Sequence, residues 1–310
     1  MSAIQVSGLH KSYDRLKAVV DFSFAAERGE LVTLAGPDGA GKTTIFRAVC
    51  NLIDYEAGEI RILDRNLKKH FNRIKPLMGY MPQAFSLYSD LSVEENLAFY
   101  AGLFGIDRKE LSRRKERLYE FSGLAPFQKR RAAALSGGMK QKLALCCNLI
   151  HDPEILLLDE PTTGVDPLSR RQFWDILRSL RESGSSVVVS TPYMDEVAMA
   201  DRTVFIFEGR KLIEGTPDEV TAHFSGHVYH VDWLADSHQM EKLDKIEGMI
   251  SRRFGTSLHL YTEPDKPIRG FLPELEPIGI GPDMIKEIEP DLEDTFIQLM
   301  GAQDANGRND

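Results

Sequence analysis

Cysteine is too scarce here for a disulfide framework: the 310 residues contain three, Cys50 and the adjacent Cys146 and Cys147. The adjacent pair falls in a helical pattern, where neighbouring side chains diverge, and all three read as reduced, buried thiols. The opening MSAIQVSGLHKSY lacks the basic-then-apolar pattern of a secretory signal. No apolar run approaches the roughly 18 residues needed to cross a bilayer; Ile155–Leu158 and Val187–Val189 are strand-sized. If the chain serves a membrane process, another chain must do the spanning. Positive charge is also in deficit. A formal net charge of -9 argues against nucleic acid as the main partner, because phosphate backbones call for clustered positive charge. Only a local patch would override that average. No internal repeat is visible.

What is present suits a globular protein, with 42% hydrophobic and 27% charged residues. The length allows one large domain and one smaller one. Short β-rich runs at Ile4–Leu9, Val19–Ala25 and Leu31–Ala35 lead to a Gly-rich stretch, Gly36–Gly41, and a helical pattern follows over Lys42–Leu52. Glu59–Leu63, Leu77–Met81, Ile155–Asp159, Val187–Ser190 and Val204–Phe207 are further strand candidates. Continuous apolar runs such as Ile155–Leu158 suit strands buried on both faces of an α/β sheet. Between Met81 and Gly138 the pattern is helical, at Ser92–Gly102 and Lys109–Phe121, which predicts a helical subdomain inserted at about 84–138. The basic run Arg108–Arg117 on its second helix reads as a solvated face, with an acidic partner or phospholipid contact as the alternative.

A boundary is expected near Ser225–His227. Beyond it His227–Trp233 and Ser257–Tyr261 read as strands, Gln239–Glu247 and Leu292–Met300 as helices, and Pro267–Leu272 as irregular. The histidines of this tail (His227, His230, His238, His259) have no ligand spacing. The expected layout is one large domain at 1–225, a small α+β domain at 226–301 and a frayed polar tail at 302–310.

The chemistry concentrates in three motifs. Gly36-Pro37-Asp38-Gly39-Ala40-Gly41-Lys42-Thr43 fits G-x-x-x-x-G-K-[ST], with an apolar strand before it and a helix after it. Glycines let the backbone turn tightly and aim successive N–H groups at an anion, and the next helix adds its positive end. Lys42 can reach the β- and γ-phosphates, and the Thr43 hydroxyl can ligate Mg2+. Ile155-Leu-Leu-Leu-Asp159-Glu160 then leaves two carboxylates at a strand's C-terminal edge, where open α/β sheets bind ligands. Asp159 is placed to hold Mg2+ and Glu160 to polarise the attacking water. Third, Leu135-Ser136-Gly137-Gly138-Met139-Lys140-Gln141 opens a helix over Lys140–Ile150 and so forms a second anion-binding helix end. Two such ends in one chain make sense if they face different nucleotides.

With these motifs the sequence resembles the ATP-binding-cassette superfamily over about Ile4 to Ser225. The resemblance implies a phosphate-loop NTPase core of ABC type, α/β in class, with a β-subdomain and the inserted helical subdomain, the small α+β domain being appended. It implies ATP and Mg2+ as cofactors and a head-to-tail pair of ATPase domains, in which ATP lies between one subunit's phosphate loop and the other's signature. ATP contacts then fall to Tyr13, Gly36, Pro37, Asp38, Gly39, Ala40, Gly41, Lys42, Thr43 and Thr44. Tyr13 stacks on adenine or, alternatively, packs its own strand. Ser136, Gly137, Gly138 and Gln141 act on the partner's ATP, Thr43, Gln83 and Asp159 on Mg2+, and Asp166 lies in a loop crossing the dimer interface. The wording GYMPQAFSLYSDLSVEEN at Gly79–Asn96, the pairing of GPDGAGKTT with LSGGMKQK, and the ending Leu292–Met300 are similar to the multidrug-export branch, nearest the first nucleotide domain of YbhF-type exporters. That implies integral-membrane permease subunits as partners and a cytoplasmic, membrane-peripheral location.

One landmark departs. Where the family places a histidine against the γ-phosphate, this chain reads Ser190-Thr191-Pro192-Tyr193-Met194-Asp195-Glu196. Proline offers neither a side-chain donor nor a backbone N–H. Loss of one preorganised donor costs about 2.7–4 kcal/mol, roughly 100- to 1000-fold in rate. The expectation is a site that binds ATP well and hydrolyses it slowly, paired with a second, histidine-bearing ATPase. The alternatives are that Thr191, Tyr193 or a water makes the missing contact, or that the chain is a regulatory ATP-binding module. Soluble relatives acting in DNA repair or translation carry second cassettes, coiled coils or zinc insertions, and none is visible.

Overall fold

The computed structural model describes residues 2–84 and 87–307, with side chains up to residue 301. Phe85, Ser86 and residues 308–310, all within stretches read above, lie outside them. In chain order come strands β1 (Ser2–Tyr13), β2 (Leu16–Glu27) and β3 (Leu31–Ala35), helix α1 (Lys42–Val49), strands β4 (Ala57–Ile62) and β5 (Arg65–Asn66), helix α2 (Leu67–Ile74) and strand β6 (Met78–Met81). Helices α3 (Val93–Leu103), α4 (Arg108–Ser122) and α5 (Gly137–Leu149) follow. Then come β7 (Ile155–Asp159), α6 (Pro167–Glu182), β8 (Ser186–Thr191), α7 (Met194–Val197), β9 (Arg202–Phe207), β10 (Arg210–Gly215) and α8 (Pro217–Thr221). The remainder is β11 (His227–Val231), α9 (Ser237–Leu243), β12 (Met249–Phe254), β13 (Ser257–Thr262), α10 (Leu272–Leu275), β14 (Ile285–Ile288) and α11 (Leu292–Gly307).

Six strands build the central sheet, in the order β10-β9-β3-β8-β7-β6. Its members from β9 to β6 run parallel, and β10 pairs antiparallel at one edge. Every residue of β3, β7 and β8 is buried, the burial that continuous apolar runs call for in a sheet covered on both sides. Alternation divides their side chains between two cores. Leu157 and Val188 join Ile45, Phe46 and Val49 of α1 and the antiparallel sheet β2-β1-β4-β5. Leu156, Leu158, Val187 and Val189 join Leu97, Leu143, Phe173, Trp174 and Leu177 from the helices.

Among the described residues no strand lies between Met81 and Gly137, so the insertion is helical. Its basic helix is tied in rather than merely solvated. Arg113 and Arg114 hold Glu110 at 2.7 and 2.6 Å, Arg114 also reaches Asp152 at 3.1 Å and the carbonyl of Ile150 at 2.6 Å, and Lys115 pairs with Glu94. The three thiols are free and buried, and burial pushes Cys146 up to about 12.

The chain divides into two units, Met1–Pro217 and Asp218–Asp310, a little before the boundary expected near residue 225. The second unit has an antiparallel sheet ordered β12-β13-β11-β14. Its strands β12 and β14, with few apolar residues, escaped the sequence reading. Asp294 on α11, 0% exposed, accepts from Tyr261 at 2.8 Å and lies 2.9 Å from His259 Nδ1, which joins this helix to the sheet. Pro267–Leu272, expected to be irregular, forms a 3-10 turn at Ile268–Phe271 that leads into α10. Helix α11 continues to Gly307, into the stretch expected to fray, through alanines and a glutamine that favour helix.

Phe46 on α1 is 0% exposed between the phosphate-loop helix and the sheets. Phe46→Ala should lower the unfolding free energy by about 3–5 kcal/mol, read from chemical denaturation. An unchanged midpoint would contradict this packing.

Candidate functional site

Chain geometry makes the first loop. The amide of Gly36 donates to Thr191 O at 3.2 Å, and a Cβ on Gly36 would stand 2.2 Å from Ile206 O, so the backbone passes where no side chain fits. Gly41, at φ +104, caps α1 in the left-handed region, and a Cβ there would meet Ala18 O at 2.5 Å. The resulting hollow, about 340 Å3, is lined by Tyr13, Leu16, Ala18, Asp38, Gly39, Ala40, Gly41, Lys42, Thr43, Thr44, Gln83 and Glu160. Tyr13 stands at its rim, 41% exposed, with Lys11 Nζ 5.0 Å from its ring. The ring thus faces the hollow while Lys11 of its own strand lies against it.

The floor is a set of buried acidic and basic side chains. Lys42 is 3% exposed and donates to Gly36 O at 2.7 Å and Pro37 O at 2.9 Å, with Glu160 Oε1 at 3.2 Å. Gln83 Nε2 donates to the other Glu160 oxygen at 2.9 Å, and Thr163 Oγ1 does so at 3.3 Å. Asp159 is 0% exposed and receives three hydroxyls: Thr43 at 3.2 Å, Ser190 at 2.6 Å and Tyr80 at 3.4 Å. Burial, with the Asp159 charge beside it, holds the Tyr80 phenol well above its ordinary range. The sequence motifs signalled neither Ser190 nor Tyr80. A hydroxyl inside an otherwise aliphatic run (Val187-Val-Val-Ser190) was the available clue.

The proline turn sits beside this floor. Thr191 Oγ1 gives its proton to Glu196 Oε2 at 2.5 Å and accepts from Tyr193 N at 3.0 Å. Thr162 donates to the other Glu196 oxygen at 2.5 Å, and Arg170 Nε lies 3.5 Å from it while its guanidinium covers the Tyr193 ring at 4.1 Å. Burial holds the Glu196 carboxyl above its ordinary range, against those two hydroxyls. Pro192 is half-buried at the head of this turn.

The signature lies apart from the hollow: none of the described residues lining it comes from Ser136–Gln141. Ser136 caps α5 by accepting from Met139 N at 3.4 Å, so the helix begins at Gly137 rather than at the expected Lys140, and both glycines occupy its first turn. Ser136 and Gly137 are exposed, Gln141 half-buried and Gly138 buried. A Cβ on Gly138 would stand 2.6 Å from Ser169 Cβ, where α6 is capped by Asp166 accepting from Ser169 N at 2.9 Å. That hydrogen bond is first among the causes holding the exposed Asp166 carboxyl below its usual range.

A glycine cradle for an anion, a buried lysine, and a hydroxyl beside a buried carboxylate fit Mg-ATP: Mg2+ takes one or two protein oxygens and completes its shell with water and phosphate. The sheet order, loop and acidic strand end define a phosphate-loop nucleotide-binding protein. The ABC transporter family (ABC_tran) matches residues 19–163. The Nod factor export ATP-binding protein I of Ralstonia nicotianae is 33% identical over 307 residues, covering 97% of this chain and 94% of that one. The probable multidrug ABC transporter ATP-binding protein YbhF of Escherichia coli is 40% identical over 221 residues, covering 71% of this chain. The alignment spans 38% of that relative's length. Among solved structures, an ATP-binding subunit of an ABC transporter aligns with a TM-score of 0.65 and 28% identity, covering 72% of this chain and 93% of that one. CbiO1 from Clostridium perfringens aligns at 0.66 and 25%, covering 72% and 91%. The chain belongs to the ABC transporter ATP-binding family.

The two signature glycines separate by substitution. Gly138→Ala must displace Ser169 and should lose about 1–3 kcal/mol, whereas Gly137→Ala, whose Cβ would be 3.7 Å from Gly164 O, should stay within about 0.5 kcal/mol. Denaturation of both variants checks this, and equal losses would refute the packing.

Proposed function

We propose that this chain is the ATP-hydrolysing subunit of an exporter whose membrane-spanning part is a separate permease chain. The observation that carries this is the Lys42–Glu160–Gln83 and Thr43–Asp159 constellation beneath the glycine hollow, with a second capped helix end, Ser136–Gly138, outside it. Similarity to an export ATP-binding protein over 97% of the chain supports the transport assignment. Among the described residues no helix is long and apolar enough to cross a membrane. A partner ATPase domain completes each nucleotide sandwich, and no nucleic acid is involved.

In this reading Tyr13 stacks on adenine, the amides of Gly36–Thr44 and Lys42 hold the phosphates, and Thr43, Asp159 and Gln83 hold Mg2+. When bound there, Mg2+ would supply positive charge against the phosphates. Glu160 orients water for in-line attack, and catalysis is positioning and electrostatics. Ser136, Gly137, Gly138 and Gln141 reach the partner's ATP, and Asp166 crosses between the subunits.

Pro192 makes the site unequal to an ordinary one. Thr191 has one proton and gives it to Glu196, so its hydroxyl is not free to replace the missing histidine donor. The chain's own site holds ATP and cleaves it slowly, while its signature supports hydrolysis by a partner with the histidine present. This favours a heterodimer, and at the limit the chain is a regulatory ATP-binding module within the complex.

Steady-state hydrolysis by the purified chain tests both halves. Pro192→His should raise turnover by about tenfold or more, a share of the 100- to 1000-fold an oxyanion donor supplies, and no gain would remove the proline explanation. Glu160→Gln should abolish turnover while ATP still binds; retained turnover would contradict the assigned water-orienting role.

A further inference from the structure

Ser190 is the one polar side chain in the run Val187-Val188-Val189-Ser190, at 0% exposure and in the middle of the central sheet. It pairs with Asp159 on β7 on one side and with Leu34 on β3, the strand leading into the phosphate loop, on the other. A hydroxyl so placed must find partners or cost the fold about 1–3 kcal/mol. It finds two, and both belong to the acidic strand end. Its proton goes to Asp159 Oδ1 at 2.6 Å, and its oxygen accepts from the backbone N–H of Glu160 at 2.9 Å, a donor shared with the Ser190 carbonyl at 3.2 Å.

The second bond falls where the backbone needs holding. Glu160 has φ +47, a left-handed conformation that non-glycine residues adopt only when their surroundings impose it. This conformation sends the Glu160 side chain to Lys42 and Gln83 instead of continuing the strand. The first bond fixes the carboxylate oxygen that Thr43 also touches, at 3.2 Å. One hydroxyl therefore touches both acids, helping Thr43 and Tyr80 to orient Asp159 and the Ser190 carbonyl to hold the backbone of Glu160. Groups that orient a metal's ligands in this way change affinity and activity without touching the metal.

We propose that Ser190 is a positioning residue for the hydrolytic centre, locking the metal-binding carboxylate of Asp159 and the water-orienting Glu160 into one unit through its single hydroxyl. This rests on the roles given above to Asp159 and Glu160. Ser190 also stands next to last on β8, the strand that leads into the proline turn. A valine in this position would fill the space and remove one hydrogen bond from each acid, leaving Asp159 to Thr43 and Tyr80 and the Glu160 N–H to the carbonyl of residue 190.

The test compares Ser190→Ala and Ser190→Val, which lack the hydroxyl, with Ser190→Thr, which keeps it. Two quantities are read: equilibrium binding of a fluorescent ATP analogue across a Mg2+ titration, and steady-state hydrolysis at saturating Mg2+. Loss of the hydroxyl should raise the Mg2+ concentration for half-maximal nucleotide binding about tenfold and lower kcat about tenfold, the lower end of what outer-sphere residues contribute. KM for ATP at saturating Mg2+ should move less than about twofold, since the residues that hold the nucleotide remain in place. Ser190→Thr should restore the Mg2+ requirement. If Ser190→Ala does not fold, the Val and Thr variants, both β-branched and suited to a central strand, carry the comparison. Wild-type Mg2+ dependence and kcat in a folded variant without the hydroxyl would overturn the proposal, as would equal loss in the Val and Thr variants. Glu160→Gln in the same assays keeps the two ideas apart: persistent hydrolysis there would remove the role of Glu160, while the Mg2+ titration would still judge Ser190 on Asp159.

Discussion

A strand of four aliphatic residues ends in two carboxylates that have almost no water, and much of the first unit follows from satisfying them. Asp159 and Glu160 are 0% and 6% exposed, a placement tolerable only if each oxygen is paired or hydrogen-bonded. Their partners are drawn from across the fold: Lys42 and Thr43 from α1, Tyr80 from β6, Gln83 from the segment after it, and Ser190 from β8. The strand order β3-β8-β7-β6 brings these donors together. The two apolar cores keep the sheet fixed so that the polar contacts stay short. The reacting groups thus stand on rigid elements, where placement is most exact.

Much of the first unit was legible in the residues themselves. Leu31–Ala35, Ile155–Asp159 and Val187–Ser190 read as buried strands because parallel strands covered on both faces need unbroken apolar runs. Gly36–Thr43 and Asp159–Glu160 were legible because phosphate and metal chemistry restrict residue type and spacing. Short polar elements were not. β10 (Arg-Lys-Leu-Ile-Glu-Gly) and β12 (Met-Ile-Ser-Arg-Arg-Phe) carry too few apolar residues to announce a strand, and sheet pairing alone defines them. The helix expected over Lys140–Ile150 begins at Gly137, where Ser136 caps it, and the close approach to Ser169 makes glycine obligatory at position 138. Side-chain partnerships between distant strands, such as Ser190 with Asp159, have no local signature.

The proline at 192 gains its meaning from the contacts around it. Proline alone could be offset by a neighbouring hydroxyl. Here Thr191 is committed to Glu196, a fully buried acid that also takes Thr162 and faces Arg170. The turn is held by that network. On the proposed reading, a nucleotide site with its binding parts present and one donor fewer, beside a signature on the same chain, is the arrangement expected of one member of an unequal pair.

The most direct test of this account is a single-turnover experiment in which radiolabelled Mg-ATP is bound to the purified chain and quenched over time. The account predicts stoichiometric binding with the nucleotide remaining as intact ATP long after an ordinary ATPase of this family would have cleaved it. Prompt cleavage by the chain alone, with no partner ATPase present, would contradict it.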